Sequence, residues 1–272
     1  MYNGSGWISA RLYAGLGNRL FQLAAAYKVS EDQKIPLVFA DPFCKNFTNH
    51  GEIDNIFKLF PQIPMILEAI PHIGYKQKEC FLYEPIPQLP RGKNILLDGY
   101  FQAKEYVSET MRPSWNCIQN SLGLLKKWNL ETQEQRNKTV FVHVRLGDFK
   151  DHPHHFVNLR MYFLRAMATF SLDTSFLVFS EEPEYAKSFS HFDERCIFVQ
   201  ESDELNTLFL MSNCHRGAVT ANSTFSWWGA FFARQSCGSP GNFVACMPSQ
   251  WMVTHNTPTE GIYPSWATIV AV

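Results

Sequence analysis

Short β-rich runs alternate with amphipathic stretches through the C-terminal half of this chain, and that rhythm narrows its fold more than any other feature. Strands are predicted at 140–145, 175–179, 196–199, 218–221 and 243–246. Helices are predicted between them at 159–168, 182–188, 203–212 and 224–234. Such alternation implies parallel sheets whose two faces are covered by helices. The N-terminal part repeats the rhythm less cleanly. A strand at 7–13 meets a glycine turn at 14–17, and a helix at 18–32 places Leu20, Leu23, Ala24 and Tyr27 on one side. Further strands are expected at 35–40 and 94–97, with a helix at 114–128. Eight of the 15 prolines fall between residues 36 and 90, so irregular loops are expected there. The polar, aromatic-free stretch 131–138 is the natural boundary, giving domains 1–135 and 136–272.

Composition excludes several classes. With 272 residues, 46% hydrophobic and 18% charged, the chain is no disordered polymer. A net charge of -1 argues against a broad grip on nucleic acid or anionic lipid. No apolar run reaches bilayer length, and residues 1–6 have no secretory pattern, so a cytoplasmic protein without a membrane anchor is expected. Seven scattered cysteines match neither a zinc nor a CxxC spacing and read as thiols in a reducing compartment. The sequons at Asn3, Asn46, Asn137 and Asn222 are then chance matches.

Three segments place polar chemistry at strand or helix ends. Gly15-Leu16-Gly17-Asn18-Arg19-Leu20-Phe21-Gln22 joins a strand to a helix. It lacks the third glycine of a dinucleotide fingerprint and the Gly-Lys-Ser/Thr of a P-loop. A close backbone approach to a ligand and a plain tight turn both fit it. His143-Val144-Arg145-Leu146-Gly147-Asp148 ends a strand, and alternation puts His143 and Arg145 on one face. An arginine fork there suits a phosphate, and Asp148 is placed to orient it or to take a hydroxyl proton. The competing reading is a structural Arg–Asp pair. Asn222-Ser223-Thr224-Phe225-Ser226-Trp227-Trp228-Gly229 opens a helix. Its hydroxyls and N–H groups suit an anion, while Ser223 as a cap over an inner face of Phe225, Trp228 and Phe232 is the structural alternative. Asp203 also starts a helix: an acid favoured by the dipole, or acceptor oxygens for a guanine edge. Glu181 and Glu182 read as helix-start acids, and His152, His154 and His155 as a solvated loop.

Taken together, these segments resemble the alpha-1,2-fucosyltransferases of glycosyltransferase family 11. The resemblance runs in order through residues 14–22, Leu97-Asp98-Gly99-Tyr100-Phe101-Gln102, residues 143–148, Phe179-Ser180-Glu181-Glu182-Pro183 and residues 222–229. It implies an α/β fold of GT-B type, two Rossmann-like domains facing an interdomain cleft. The N-terminal domain would be the acceptor side and the C-terminal one would bind GDP-fucose. Fucose would pass with inversion to the 2-hydroxyl of a galactose-type glycan, with no cofactor or required metal. Its partners would be the nucleotide sugar and the acceptor glycan.

By the same resemblance, Asp148, His143 and Arg145 are the catalytic candidates. Arg145, His143, Asn18, Gly17, Asn222, Ser223, Thr224, Phe225 and Ser226 would bind the donor, with Asp203 added from its place at a helix start. Three positions depart from the family: Ala14 replaces Gly, Arg19 replaces Gln, and Leu146 replaces a second Arg. Leu146 would remove one cation near the phosphates, and Arg19 offers a compensating charge from the other domain. Other GT-B transferases, such as a protein O-fucosyltransferase, and a catalytically dead glycan- or nucleotide-binding protein are the alternatives.

Overall fold

The computed structural model describes residues 6–40, 42, 44, 52–147, 152–189, 192–253 and 258–272. The chain divides into two compact units, Met1–Cys117 with Pro258–Tyr263, and Ile118–Thr257 with Pro264–Val272. The contact boundary therefore falls ahead of the polar stretch. α3 (Ser121–Lys127) packs on α7 (Glu204–Ser212) of the second unit, and α4 (Gln133–Lys138) is a short helix with a complete capping box between Thr132 and Gln135. The expected helix at 114–128 is split. A helical turn at Trp115–Cys117 ends before Asn120, whose side chain caps α3 through the Gly123 N–H.

In the first unit, β1 (Ile8–Ala10), β5 (Ile95–Asp98) and β4 (Ile73–Lys76) pair in that order, all parallel. β2 (Phe39–Ala40) pairs with β3 (Met65–Ile66), and a parallel bridge from Ile8 to Leu37 sets the β2 segment on the free side of β1. The chain thus runs outward to one side of β1 before returning on the other. α1 (Leu16–Gln33) follows β1, and its buried side includes Leu20, Leu23 and Ala24. It ends where Lys34 turns left-handed, at φ 57°. α2 (Asp54–Leu59) packs against it.

The second unit is one six-stranded parallel sheet. β6 (Thr139–Val144), β7 (Ser175–Ser180) and β8 (Cys196–Val199) run to one side. β9 (Gly217–Val219), β10 (Val244–Pro248) and β11 (Ala267–Val270) run to the other, giving the order β11-β10-β9-β6-β7-β8. β6 is buried along its whole length, and its Thr-Val-Phe-Val-His-Val sequence fits a central strand. Alternation divides it. Val140, Val142, Val144 and Leu146 join a cluster with Tyr162, Phe163, Ala166 and Met167 of α5 (Arg160–Met167) and Ala186 of α6 (Pro183–Lys187). Phe141 faces the other way, towards α7 and α8 (Thr224–Ser236). There Gly229 comes so close to Met211 and Phe141 that a methyl group would lie 2.9 Å from the Met211 sulfur. No helix among the described residues is long and apolar enough to cross a membrane.

Candidate functional site

In an open parallel sheet the chain reverses direction at one point, and the carboxyl ends of the two strands there leave a crevice. In the second unit that point lies between β6 and β9. Their register pairs Val142 with Val219, so Arg145 and Asn222 follow their strands at the same level. β7 joins from the other side with Val144 opposite Ser180, which brings Glu181 level with Arg145. Three of the sequence segments therefore meet at one end of one sheet.

Arg145 forms an ion pair with Glu181 through one guanidinium nitrogen, and the other carboxylate oxygen of Glu181 accepts the Leu146 N–H at 3.4 Å. Gly147 continues with φ at 37°, and even a methyl group built on it would stay 3.9 Å from the arginine. His143 lies one strand step below and is 5% exposed. Its ring is 6.0 Å from that of Phe225, and its Nδ1 is buried with no hydrogen-bond partner. Burial, with a smaller contribution from the Arg145 charge, pushes its pKa down to about 3, so it is a neutral imidazole at physiological pH.

The start of α8 departs from the simple capping picture. Ser223 occupies the N-cap with extended backbone, but its hydroxyl makes no capping bond. Ser226 instead donates to the Ser223 carbonyl at 3.2 Å. A helix start without a side-chain cap presents N–H groups suited to an anion. Asn222 fixes the approach: its Nδ2 donates to the carbonyls of His155 at 2.9 Å and Trp251 at 3.0 Å. Phe225 and Thr224 are partly exposed. Trp227 and Trp228 are both fully buried against Phe231 and Phe232, so the double tryptophan is core rather than a ligand platform.

The remaining sequence candidates are placed as follows. Asp203 caps α7, accepting the Asn206 N–H at 2.7 Å, and is exposed two strands out from β6, about 10 Å across the sheet by ordinary strand spacing. Gly17 and Asn18 lie in the first turn of α1 in the first unit, where Asn18 Oδ1 accepts from Gln102 Nε2 at 2.7 Å. Asp148 lies outside the described residues, as do Asn3 and Asn46. Among the described residues no group of three or more His, Cys, Asp or Glu is arranged to hold a metal, so the His152, His154 and His155 rings form no such cluster there.

The two departures of charge are both placed. Leu146 turns into the apolar cluster beneath the sheet, opposite the face carrying His143 and Arg145. Arg19 is fully buried in the first unit, donating to the Glu52 carbonyl at 2.9 Å. Glu181 is the residue the sequence reading undervalued. The available signal was its place one step past a strand that pairs with β6.

The comparisons with known proteins agree with this architecture. An alpha-1,2-colitosyltransferase of Escherichia coli is 27% identical over 277 residues, covering 90% of this chain and 92% of the relative. The O-antigen biosynthesis glycosyltransferase WbnK of Escherichia coli is 22% identical, covering 90% of this chain and 95% of the relative. Among solved structures, NodZ alpha-1,6-fucosyltransferase soaked with GDP-fucose matches 84% of this chain and 92% of its own with a TM-score of 0.53 at 12% identity. Fucosyltransferase NodZ from Bradyrhizobium matches 82% and 92% with a TM-score of 0.52 at 12% identity. That likeness gives the fold, which is of GT-B type. The profile of glycosyl transferase family 11 matches residues 63–239, a span that includes β6, the Arg145 segment and the start of α8, and the chain belongs to that family.

Proposed function

We propose that this glycosyltransferase moves L-fucose from GDP-fucose to the 2-hydroxyl of a galactose-type acceptor, with inversion. The observation that carries the reading is the meeting of Arg145 and the α8 start at the sheet's reversal point, a position suited to a diphosphate. As the sugar–oxygen bond breaks, negative charge grows on the β-phosphate, and a pre-placed fork and N–H groups stabilise it where it develops. Glu181 holds Arg145 through one guanidinium nitrogen before the donor arrives. On this reading Asn222, Ser223, Thr224, Phe225 and Ser226 line the nucleotide. Asn18 and Gly17 are donor candidates by the family resemblance, and Asp203 is the candidate for the base edge.

His143 is a poor general base, because a pKa near 3 leaves little driving force for taking a proton at neutral pH. It serves instead as a neutral hydrogen-bonding group beneath the phosphates, and Asp148 remains the candidate base. No metal is needed when arginine and helix-start N–H groups carry the charge. EDTA is therefore expected to leave the rate unchanged, and restoration by added divalent ion would contradict this.

A colitosyl donor is the second reading, favoured by the name of the 27% identical relative. The deciding measurement is GDP release from GDP-fucose, GDP-colitose and GDP-mannose, with and without galactose-ended acceptors. Release from GDP-fucose that rises with an acceptor supports the first reading, and release from GDP-colitose alone supports the second. Tight GDP binding with no release from any donor would indicate a dead binder. Arg145→Lys is expected to lower kcat/KM by about 100-fold or more, since a point charge cannot reproduce the fork. Near-normal turnover of a folded variant would remove the phosphate role.

A further inference from the structure

The first unit has its own reversal point, between β1 and β5, and the residues just past those two strands form a surface that no phosphate chemistry requires. β1 and β5 pair with Ala10 opposite Leu97, so Arg11 and Asp98 emerge side by side, with Arg11 Nε 3.6 Å from Asp98 Oδ2. Two residues further along each strand, Tyr13 and Tyr100 meet edge to face with ring centres 5.0 Å apart. Tyr100 remains 38% exposed.

The backbone around this pair is unusually determined. Phe101 is fully buried in a left-handed conformation, φ 51°, and its N–H is held by Gln77 Oε1 at 2.7 Å. Gly99 lies so close to Gln77 that a methyl group would come within 2.5 Å of its Cβ. A non-glycine residue held in that conformation costs free energy, and such costs persist where a side chain must be aimed. Here the strained turn presents Tyr100 on one side and Gln102 on the other, and Gln102 donates to Asn18.

From this juxtaposition we infer that Tyr100 and Tyr13, with the Arg11–Asp98 pair, form the subsite for the terminal sugar of the acceptor glycan. The pair has no net charge, so it does not select an anion. It presents donors and acceptors together, as a ring of neutral hydroxyls requires. An aromatic face beside such groups accommodates the apolar C–H face of a hexose. Burial raises the pKa of both tyrosines, so they stay neutral across the physiological range and add no charge to the surface. Gln102, two residues past Tyr100, donates to Asn18 and ties this surface to the start of α1. The inference rests on the transferase reading above and adds where the acceptor is held.

The test uses the full chain, GDP-fucose and lactose, or whichever galactose-ended oligosaccharide is transferred fastest. Tyr100→Ala is expected to raise the acceptor KM by about tenfold, as loss of an aromatic contact face would. Asp98→Asn should act in the same direction, and Tyr100→Phe should stay near the wild type because the ring is kept. The GDP dissociation constant should change less than twofold in all three. A lost GDP affinity in Tyr100→Ala would mean that the ring holds the nucleobase and would overturn the inference. So would an unchanged acceptor KM in a protein that turns over normally. Saturation-transfer NMR of lactose, with the wild type and Tyr100→Ala, reads the same contact without turnover. If the wild type binds GDP but no galactose-ended sugar, this subsite is wrong while the donor reading stands. If it binds no GDP, the donor reading itself fails.

Discussion

At the residue scale, two side chains show how position decides what a substitution means. Ala14 stands where the family has glycine, and the structure gives the reason for that glycine: the backbone there is left-handed, with φ at 63°. Alanine tolerates this poorly, so Ala14→Gly is expected to stabilise the first unit by about 0.5–1 kcal/mol. A thermal melt of the variant would show a transition about 2 °C higher, and an unchanged or lower one would show that the turn is held by other contacts. Glu181 is the second case. It touches Arg145 and the Leu146 N–H, so it orients the fork without needing to touch the substrate. Glu181→Gln should lower kcat by roughly tenfold, equivalent to about 1.4 kcal/mol of transition-state stabilisation. GDP should still bind, because removing a carboxylate beside the phosphates also removes a repulsion. Unchanged kcat in Glu181→Gln would leave that ion pair a purely structural contact.

At the scale of elements, the loop between β9 and α8 depends on one amide. Asn222 bridges the carbonyls of His155 and Trp251, holding two other segments against the helix start. Asn222→Ala removes both hydrogen bonds, one of them buried, and about 2 kcal/mol of stability should be lost in urea titrations. Much of this element scale is legible in the sequence. β6, β7, α5, α7 and α8 fall within a few residues of where periodicity puts them, because each has a buried face that shapes its composition; β8 is also found where expected, although only Val199 of it is buried. β3, β4, α2 and β11 do not stand out. β3 has two residues, β4 is exposed along most of its length, and β11 is a sheet edge, so alternation is weak in all three strands. The site shows the same division. His143, Arg145 and the start of α8 announce themselves as polar residues at element ends. Glu181, the burial of the tryptophan pair and the inward turn of Leu146 depend on which strands become neighbours, and local sequence does not encode that directly.

At the scale of the molecule, two buried histidines tie stability to pH. His143 and His215 have pKa values pushed down to about 3 and about 4, both chiefly by burial and both further lowered by a nearby arginine. An unfolded chain takes up these protons near pH 6.5, before the folded one does. Above that pH the pair contributes nothing to the pH dependence, and stability is lost progressively as the pH falls towards 4. His215 sits between Gln133 and Ser236, contacts a glutamine can partly replace, so His215→Gln should flatten the decline of the denaturation midpoint between pH 6.5 and 4.5. An identical slope in the variant would exclude His215 as a source. The division into units carries a different consequence. Residues Pro258–Tyr263 belong to the first unit, where Ile262 is wholly buried and the Gly261 backbone lies hard against the Phe81 carbonyl. On a ribosome adding ~5–20 residues per second, that segment emerges about 140 residues after the rest of its unit, roughly 7–28 s later. During that interval the first unit waits with a gap in its core while most of the second is made, and because Pro264–Val272 complete the second unit only afterwards, a nascent-chain experiment should find that neither unit closes before residues 258–272 have emerged.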